Sequence, residues 1–394
     1  MKKSTACPVV SRANWMAEQH PDRQMMARAV QLAARGLYTT EPNPRVGCVL
    51  TRDGKIVGEG WHVRAGEGHA EVNALAQAGA AARGATAYVT LEPCSHTGKT
   101  PPCADALVRA GVSRVVVAMQ DPNPQVAGQG LARLRAAGIT VECGLLEAEA
   151  RALNPGFIQR MQQGLPWVRL KLAMSLDGRT AMASGESQWI TGPEARADVQ
   201  RLRARSGAVI SGADSVLLDD SALTVRASEL GLDAELAAAA TASQPLRVLI
   251  DGRLRVPLEC RLFREPGPVL VVCAQLPAPP AAAAYRERQI ELVALPGADD
   301  KVDLEQLLRE LASRGCNEVL VESGAALAGA FWRAGLIDEL LVYMAPRLLG
   351  SRARPLLELP FDSMAEAMDV EITDLRVIGR DWRITARRVS SFQE

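Results

Sequence analysis

From Asp22 the apolar residues Met25, Met26, Ala29, Leu32 and Ala33 recur at helical spacing and stop at Gly36, a residue type suited to a helix C-terminus, which predicts a first helix. Residues 46–51 and 55–61 read as two strands joined by Asp53-Gly54, a pair that readily adopts the positive φ angles of a tight hairpin. A helical run over 69–82, a strand over 85–91, a loop rich in Pro, Gly, Ser and Thr, and a helix over 103–110 come next. A strand over 114–119, a helix over 130–137 and a short strand over 139–142 complete an alternation that predicts one sheet with helices on both faces.

Residues 144–163 read as mostly helical and run into Gly164-Leu165-Pro166, where the residue before proline is biased away from helix, so a domain boundary is expected there. Beyond it, strands are predicted at 168–173, 208–211, 246–250, 269–273 and 318–321, with helices between several of them, and the pattern describes a second α/β sheet. The alanine-rich stretches 234–242 and 276–284 read as peripheral insertions, and 370–378 with 381–389, split by Gly379, as a closing β-hairpin. A chain of 394 residues exceeds one compact core. The expected division is an N-terminal extension over 1–20, a first domain over 21–164 and a second over 165–394.

Composition narrows the function more than the fold. The chain has 45 basic and 45 acidic residues, so no net field draws in a polyanion, and a small-molecule substrate is favoured over nucleic acid or an anionic membrane. The four arginines of 196–205 read either as a phosphate-binding patch or as a solvated helix face. No window offers about 18 uninterrupted apolar residues, and the N-terminus lacks the core of a signal peptide, so a cytoplasmic protein is expected. Eight scattered cysteines are unlike a disulfide framework, and only Cys94 and Cys103 stand among other metal-type ligands.

His69-Ala70-Glu71, followed by Cys94 and Cys103, supplies one imidazole and two thiolates, three ligands suited to one tetrahedral zinc with a fourth position open to water. Zinc lowers the pKa of such a water to about 7. Glu71, at the start of a helix and two residues after a ligand, is the expected general acid and base. H-x-E followed by P-C-x-x-C is the zinc-deaminase signature, but here the cysteines are nine apart, so a loop containing Gly98, Pro101 and Pro102 has to return Cys103 to the first. His96 is a rival ligand. A closed, purely structural site of His69, Cys94, His96 and Cys103 would leave Glu71 unexplained.

At these residues the chain resembles the cytidine-deaminase superfamily and, more narrowly, the bifunctional deaminase-reductases of riboflavin biosynthesis. The resemblance rests on the long Cys94–Cys103 insertion, on Pro42-Asn43-Pro44-Arg45-Val46-Gly47 and on Gln120-Asp121-Pro122-Asn123-Pro124. It continues through residues 170–179 and 184–191, Asp219-Asp220, Leu223-Thr224-Val225-Arg226, Glu322-Ser323-Gly324 and Ala345-Pro346. It implies a three-layer α/β/α cytidine-deaminase-like domain, then a dihydrofolate-reductase-like α/β domain that uses NADPH to reduce a phosphorylated ribosyl group to ribityl. By resemblance Ala173, Trp189, Ser215, Asp219 and the run Gly324, Ala325, Ala326, Leu327, Ala328, Gly329 and Ala330 would bind the nicotinamide nucleotide. Asn43, Lys171, Ser187, Arg203, Arg226 and Glu322 would bind the phosphorylated pyrimidine, with Asp177 a further candidate.

From the residues themselves, the second half shows no G-x-G-x-x-G and no Walker loop, only a strand ending at Glu322 before Gly324 and the start of a helix, whose free N–H groups suit a phosphate. A nucleic-acid deaminase would need a basic groove and stacking aromatics, and only 4% of residues are aromatic. A second half reduced to a binding or scaffolding module is the other alternative, and a homo-oligomer is left open.

Overall fold

The computed structural model describes residues 20–95, 102–124 and 126–389, and the chain divides into two compact units, Met1–Gly164 and Leu165–Glu394. Residues 1–19 of the extension expected over 1–20, and the rival ligand His96, lie outside the described residues.

The first unit runs α1 (Pro21–Ala34), β1 (Gly47–Arg52), β2 (Lys55–Trp61), α2 (Ala70–Ala78), β3 (Thr86–Val89), α3 (Cys103–Ala110), β4 (Arg114–Val117), α4 (Gln129–Ala136), β5 (Thr140–Cys143), α5 (Glu147–Leu153) and α6 (Pro155–Gln163). Its sheet has the order β2-β1-β3-β4-β5, antiparallel around β1 and parallel from β3 to β5. Helix α1 packs with α5, while α2, α3 and α4 pack in succession, which makes the three expected layers. The Asp53-Gly54 turn has the expected positive φ at both residues, 51° and 75°. Gly58 and Gly60 let β2 approach α2 closely, since a Cβ on either would meet the Ala74 or Ala70 carbonyl oxygen at 2.3 or 2.4 Å. Gly36 does not cap α1. Arg35 holds that place in right-handed conformation, and Gly36 makes room for Thr40 and the His62 carbonyl.

The second unit contains β6 (Trp167–Ser175), β7 (Arg179–Ala181), α7 (Pro193–Ala204), β8 (Ala208–Gly212), α8 (Ala213–Asp219), α9 (Ala234–Thr241), β9 (Leu246–Ile250), α10 (Arg261–Arg264) and β10 (Val269–Cys273). It continues with α11 (Pro279–Glu287), β11 (Glu291–Ala294), α12 (Leu304–Ser313), β12 (Glu318–Glu322), α13 (Ala325–Arg333), β13 (Glu339–Ala345), β14 (Arg354–Pro355), β15 (Val370–Ile378) and β16 (Asp381–Arg388). Nine strands form one sheet in the order β11-β10-β9-β8-β12-β6-β13-β16-β15, parallel as far as β13 and closed by the antiparallel hairpin. Alternate residues face two apolar layers: Val168, Leu170, Ile210, Val342 and Phe331 on one side, Val209, Leu341, Tyr343 and Val216 on the other. The alanine-rich stretches are not insertions. As α9 and α11 they lie on the crossovers between parallel strands, which need a connection of this length to return to the same edge.

Candidate active sites

The first site forms where β3 runs out and α2 and α3 begin. His69 is the N-cap residue of α2 and Cys103 the first residue of α3, while Cys94 follows β3 by five residues. His69 Nδ1 lies 3.3 Å from Cys103 Sγ and 3.6 Å from Cys94 Sγ, and the three ligand atoms all fall within 4.8 Å of one another. Tetrahedral zinc with Zn–N near 2.05 Å and Zn–S near 2.3 Å sets such ligands about 3.6 Å apart, so these residues fit that ion. The backbone N–H of Cys103 also donates to Cys94 Sγ at 3.3 Å, an effect of the helix start that favours a thiolate there. Contact with Cys103 and His69 draws the Cys94 thiol down to about 4, while Cys94 and burial push the Cys103 thiol up. The hydrogen bond to Cys94 raises His69.

Glu71 is 3% exposed in the first turn of α2, and burial, with the Cys94 sulfur adding to it, pushes its carboxyl up to about 7. A carboxyl poised there exchanges protons near neutrality. Asn43 meets a residue that the sequence pattern did not single out: its Nδ2 lies 3.0 Å from Nε2 of buried His62. An amide nitrogen only donates, so Nε2 accepts and Nδ1 donates to the Gly68 carbonyl at 3.2 Å, a neutral tautomer that agrees with burial lowering the His62 pKa. The His62 ring stands edge-on to His69 with centroids 5.3 Å apart. Its signal in the sequence was slight: one of four histidines, just past the end of a strand.

The second site is a cavity of about 1650 Å³ in the second unit, larger than the roughly 300–1,000 Å³ that holds a single small ligand. It opens beyond the carboxyl ends of β6, β8, β9 and β12, the place where parallel α/β sheets bind ligands. Lys171, Ala173, Ser187, Trp189, Arg203, Ser215, Asp219, Arg226, Glu322, Gly324, Ala325, Ala326, Leu327 and Ala330 all line it. Ala328 and Gly329 do not. The helical period turns them inward, Ala328 into the core and Gly329 against the Glu358 backbone, where a Cβ would meet the carbonyl oxygen at 2.3 Å.

Glu322 ends β12 between two cations, Arg203 (2.5 and 3.1 Å) and Lys171 (4.0 Å). Burial alone would raise its pKa, but Arg203 and Lys171 outweigh it and hold the carboxylate below its usual range. Burial lowers Lys171. Ser187 Oγ donates to Asp219 at 2.8 Å, and Arg226 pairs with Glu229 at 2.6 Å. Ser215 Oγ accepts from the Gly324 N–H at 3.0 Å, which joins the starts of α8 and α13. Trp189 is a wall residue, not a core one: it is 60% exposed, with the Arg196 guanidinium 4.6 Å from its ring. Of the arginines in the 196–205 run, Arg201 and Arg205 pair with Asp198 and Glu318, while Arg196 and Arg203 line the cavity, so the run is more than a solvated face. Asp177 does not reach the cavity. It accepts from Ser175 and from the Leu349 and Gly350 N–H groups, which pull its carboxyl down to about 2. Arg253, Arg255 and Lys301, which no sequence pattern marked, also line the cavity and add positive charge.

Two family models match the chain, one in each half. Residues 19–119 match the model of the cytidine and deoxycytidylate deaminase zinc-binding region, and residues 166–384 match the RibD C-terminal domain. The riboflavin biosynthesis protein RibD of Escherichia coli is 52% identical over 362 residues, covering 91% of this chain and 97% of that protein. Its Haemophilus influenzae counterpart is 50% identical over 367 residues, covering 92% and 96%. Among solved structures, Acinetobacter baumannii RibD superposes with a TM-score of 0.86 at 47% identity, covering 94% of this chain and 99% of that one. The Thermotoga maritima diaminohydroxyphosphoribosylaminopyrimidine deaminase/5-amino-6-(5-phosphoribosylamino)uracil reductase does so with a TM-score of 0.79 at 32% identity, with the same coverage. With both halves matched in order and relatives of this identity spanning almost its whole length, the chain belongs to the RibD family of bifunctional riboflavin-biosynthesis enzymes.

Proposed function

We propose that the chain's two activities, a deaminase and a reductase of riboflavin biosynthesis, are housed separately, the deaminase in residues 21–164 and the reductase in 165–394. The observation that carries this reading is the meeting of His69 Nδ1 and the Cys94 and Cys103 sulfurs beside the buried carboxyl of Glu71, all within the first unit. The substrate of the first step is 2,5-diamino-6-(5-phosphoribosylamino)pyrimidin-4(3H)-one. His69, Cys94 and Cys103 hold zinc, which supplies a Lewis acid that makes water nucleophilic at neutral pH. Glu71 takes a proton from the attacking water and passes it to the departing amine, so ammonia leaves and a carbonyl remains. Asn43, fixed by His62, contacts the pyrimidine.

The second step reduces the ribosyl group of 5-amino-6-(5-phosphoribosylamino)uracil to ribityl, for which bound NADPH supplies the hydride. Ala173, Trp189, Ser215, Asp219 and the turn from Gly324 to Leu327, with Ala330, take the cofactor, whose phosphates suit the N–H groups at the start of α13. Ser187, Arg203, Arg226, Lys171 and Glu322 take the sugar phosphate, the arginines through donors not used on Glu322 and Glu229. Thiolate ligands and NADPH suit the reducing cytoplasm, where we place both reactions. No helix among the described residues is long and apolar enough to cross a membrane. Incubation of the pure protein with the diamino substrate should release ammonia without NADPH and yield the ribityl product only with it. Ammonia release that required NADPH would contradict the assignment.

The second unit also supports self-association. A bulge at Thr373 turns Val370, Ile372, Leu375 and Val377 of β15 onto one face with Trp382, and these residues stand 41–59% exposed. A contiguous run of exposed large apolar side chains marks an interaction surface. The stripe itself carries no charge, which suits a second copy packed about a twofold axis. Sedimentation should show a dimer, and Ile372→Thr with Leu375→Thr should shift it to monomer. A monomeric parent at micromolar concentration would refute this.

A further inference from the structure

Helix α4 carries none of the groups assigned to either reaction, yet it touches the chain on both sides of Cys94 and just after Cys103. Glu92, two residues before Cys94, is 4% exposed, and its carboxylate accepts four backbone N–H groups. Oε2 takes those of Asp121 (3.0 Å) and Gly128 (2.9 Å), and Oε1 those of Gly130 (2.8 Å) and Leu131 (3.3 Å). The last two belong to the first turn of α4, where a carboxylate meets the positive end of the helix. Gly130 sits against the Pro93 carbonyl so closely that a Cβ would meet its oxygen at 2.1 Å. One turn further on, Arg133 reaches back, donating to the Ser95 carbonyl at 3.1 Å and pairing with Asp105 at 2.5 Å. Ser95 follows Cys94 by one residue, and Asp105 follows Cys103 by two.

We propose that Glu92 and Arg133 are positioning residues for the thiolate pair: α4, pinned at its first turn by Glu92, uses Arg133 to fix the Cys94 segment and the start of α3 at zinc-binding separation. The proposal rests on the zinc reading of the first site. It explains how cysteines nine residues apart act as a preformed pair, since Arg133 and the Ala104 N–H to Cys94 carbonyl bond (3.2 Å) both span the two segments. It also accounts for Gln120-Asp121-Pro122-Asn123-Pro124, the family-like motif that neither reaction uses: its Asp121 N–H is one of the four held by Glu92.

The chemistry admits few replacements. In Glu92→Gln one oxygen becomes an NH₂ group facing two N–H donors, so half of the four bonds turn repulsive. In Arg133→Lys a single ammonium replaces a planar fork that spans two partners. Groups that orient metal ligands from outside the coordination sphere typically contribute about 10- to 100-fold in affinity.

The test is zinc affinity of the full-length protein by chelator competition, together with the visible and thiolate charge-transfer absorption of the cobalt-loaded protein. Glu92→Gln and Arg133→Ala should each weaken zinc about 10- to 100-fold and alter the cobalt spectrum, with Arg133→Lys in between. Their deaminase kcat should fall with little change in KM. Leu134→Ala, which removes a fully buried side chain of α4 that makes none of the Glu92 or Arg133 bonds, separates this from a general loss of stability: it should lower Tm while keeping parental zinc affinity and spectrum. Arg133 is half-exposed, so its variants carry the test if Glu92→Gln does not fold. Parental affinity and spectrum in the Arg133 variants, or an equal loss in Leu134→Ala, would overturn the proposal. If Cys94→Ser left zinc content unchanged, the zinc reading itself would fall, and the proposal with it.

Discussion

The two sites place their chemistry differently. In the first unit three ligand atoms lie within 4.8 Å of one another with a single buried carboxyl beside them, at the starts of two helices and in the loop after β3. In the second, side chains from β6, α7, α8, β12 and the loops between them spread around a cavity of about 1650 Å³. A compact site that makes one reagent stands or falls with each member. A dispersed site, which mainly binds and orients two large ligands, shares its free energy over many contacts and degrades by degrees.

The sharpest break between them should come from Glu71→Gln, which keeps the shape but removes the proton carrier. Deamination should drop about 10²- to 10⁴-fold while NADPH oxidation on already deaminated substrate stays parental. If both activities fell with zinc and fold intact, the sites would not be separate. Glu322→Gln should reverse the pattern with a smaller effect, since it strands Arg203 and Lys171 without their carboxylate. A loss near 30-fold in reductase kcat/KM, equivalent to about 2 kcal/mol, is expected, and unchanged NADPH turnover would remove Glu322 from the site. Arg226→Ala should be milder still, raising KM for the phosphorylated substrate about tenfold with kcat nearly kept. An equal rise for a dephosphorylated analogue would show that Arg226 does not read the phosphate.

The smallest expected effect concerns stability, where the units are alike. In each, a strand tyrosine donates to a helix aspartate at 2.6 Å and a strand arginine pairs with the same carboxylate: Tyr88 and Arg114 on Asp22, Tyr343 and Arg383 on Asp198. Burial would raise both carboxyls, but the hydrogen bonds and the arginines more than offset it and hold them below the ordinary 3.8. A depressed carboxyl stabilises above its unfolded pKa and loses that contribution as pH falls through its folded value. Asp22→Asn should therefore lower Tm by a few degrees at pH 7, and the gap from the parent should narrow below about pH 4. A gap independent of pH would mean that the charge plays no part.

How far the sequence could be read follows from the same contrast. His69, Glu71, Cys94 and Cys103 stand out because few chemistries call for an imidazole, two thiolates and a carboxylate in that order. The reductase residues are ordinary types at ordinary spacings, and only likeness to a family marked them. Even that likeness marks the run from Gly324 to Ala330 whole, whereas a helix shows a ligand only some of its faces. The crossovers α9 and α11 were misjudged because an alanine-rich helix has little contrast between its apolar and polar sides. The strand β13 went unpredicted, since an unbroken apolar run such as Leu340-Leu341-Val342-Tyr343-Met344 has no period of its own. Glu92 and Arg133 act through partners 28 to 39 residues away, beyond the reach of local pattern.

The apolar cores have a consequence for heredity. Among the described residues, the first is built only from residues between Met25 and Ile158, and the two layers of the second only from residues between Leu165 and Ala386. A gene cut after the codon for Gly164 would thus leave each open reading frame with a complete interior of its own. The two halves could be inherited apart, exchanged between genomes or copied in unequal dose. A mutation that silences one would then be complemented by a second gene supplying only the other half.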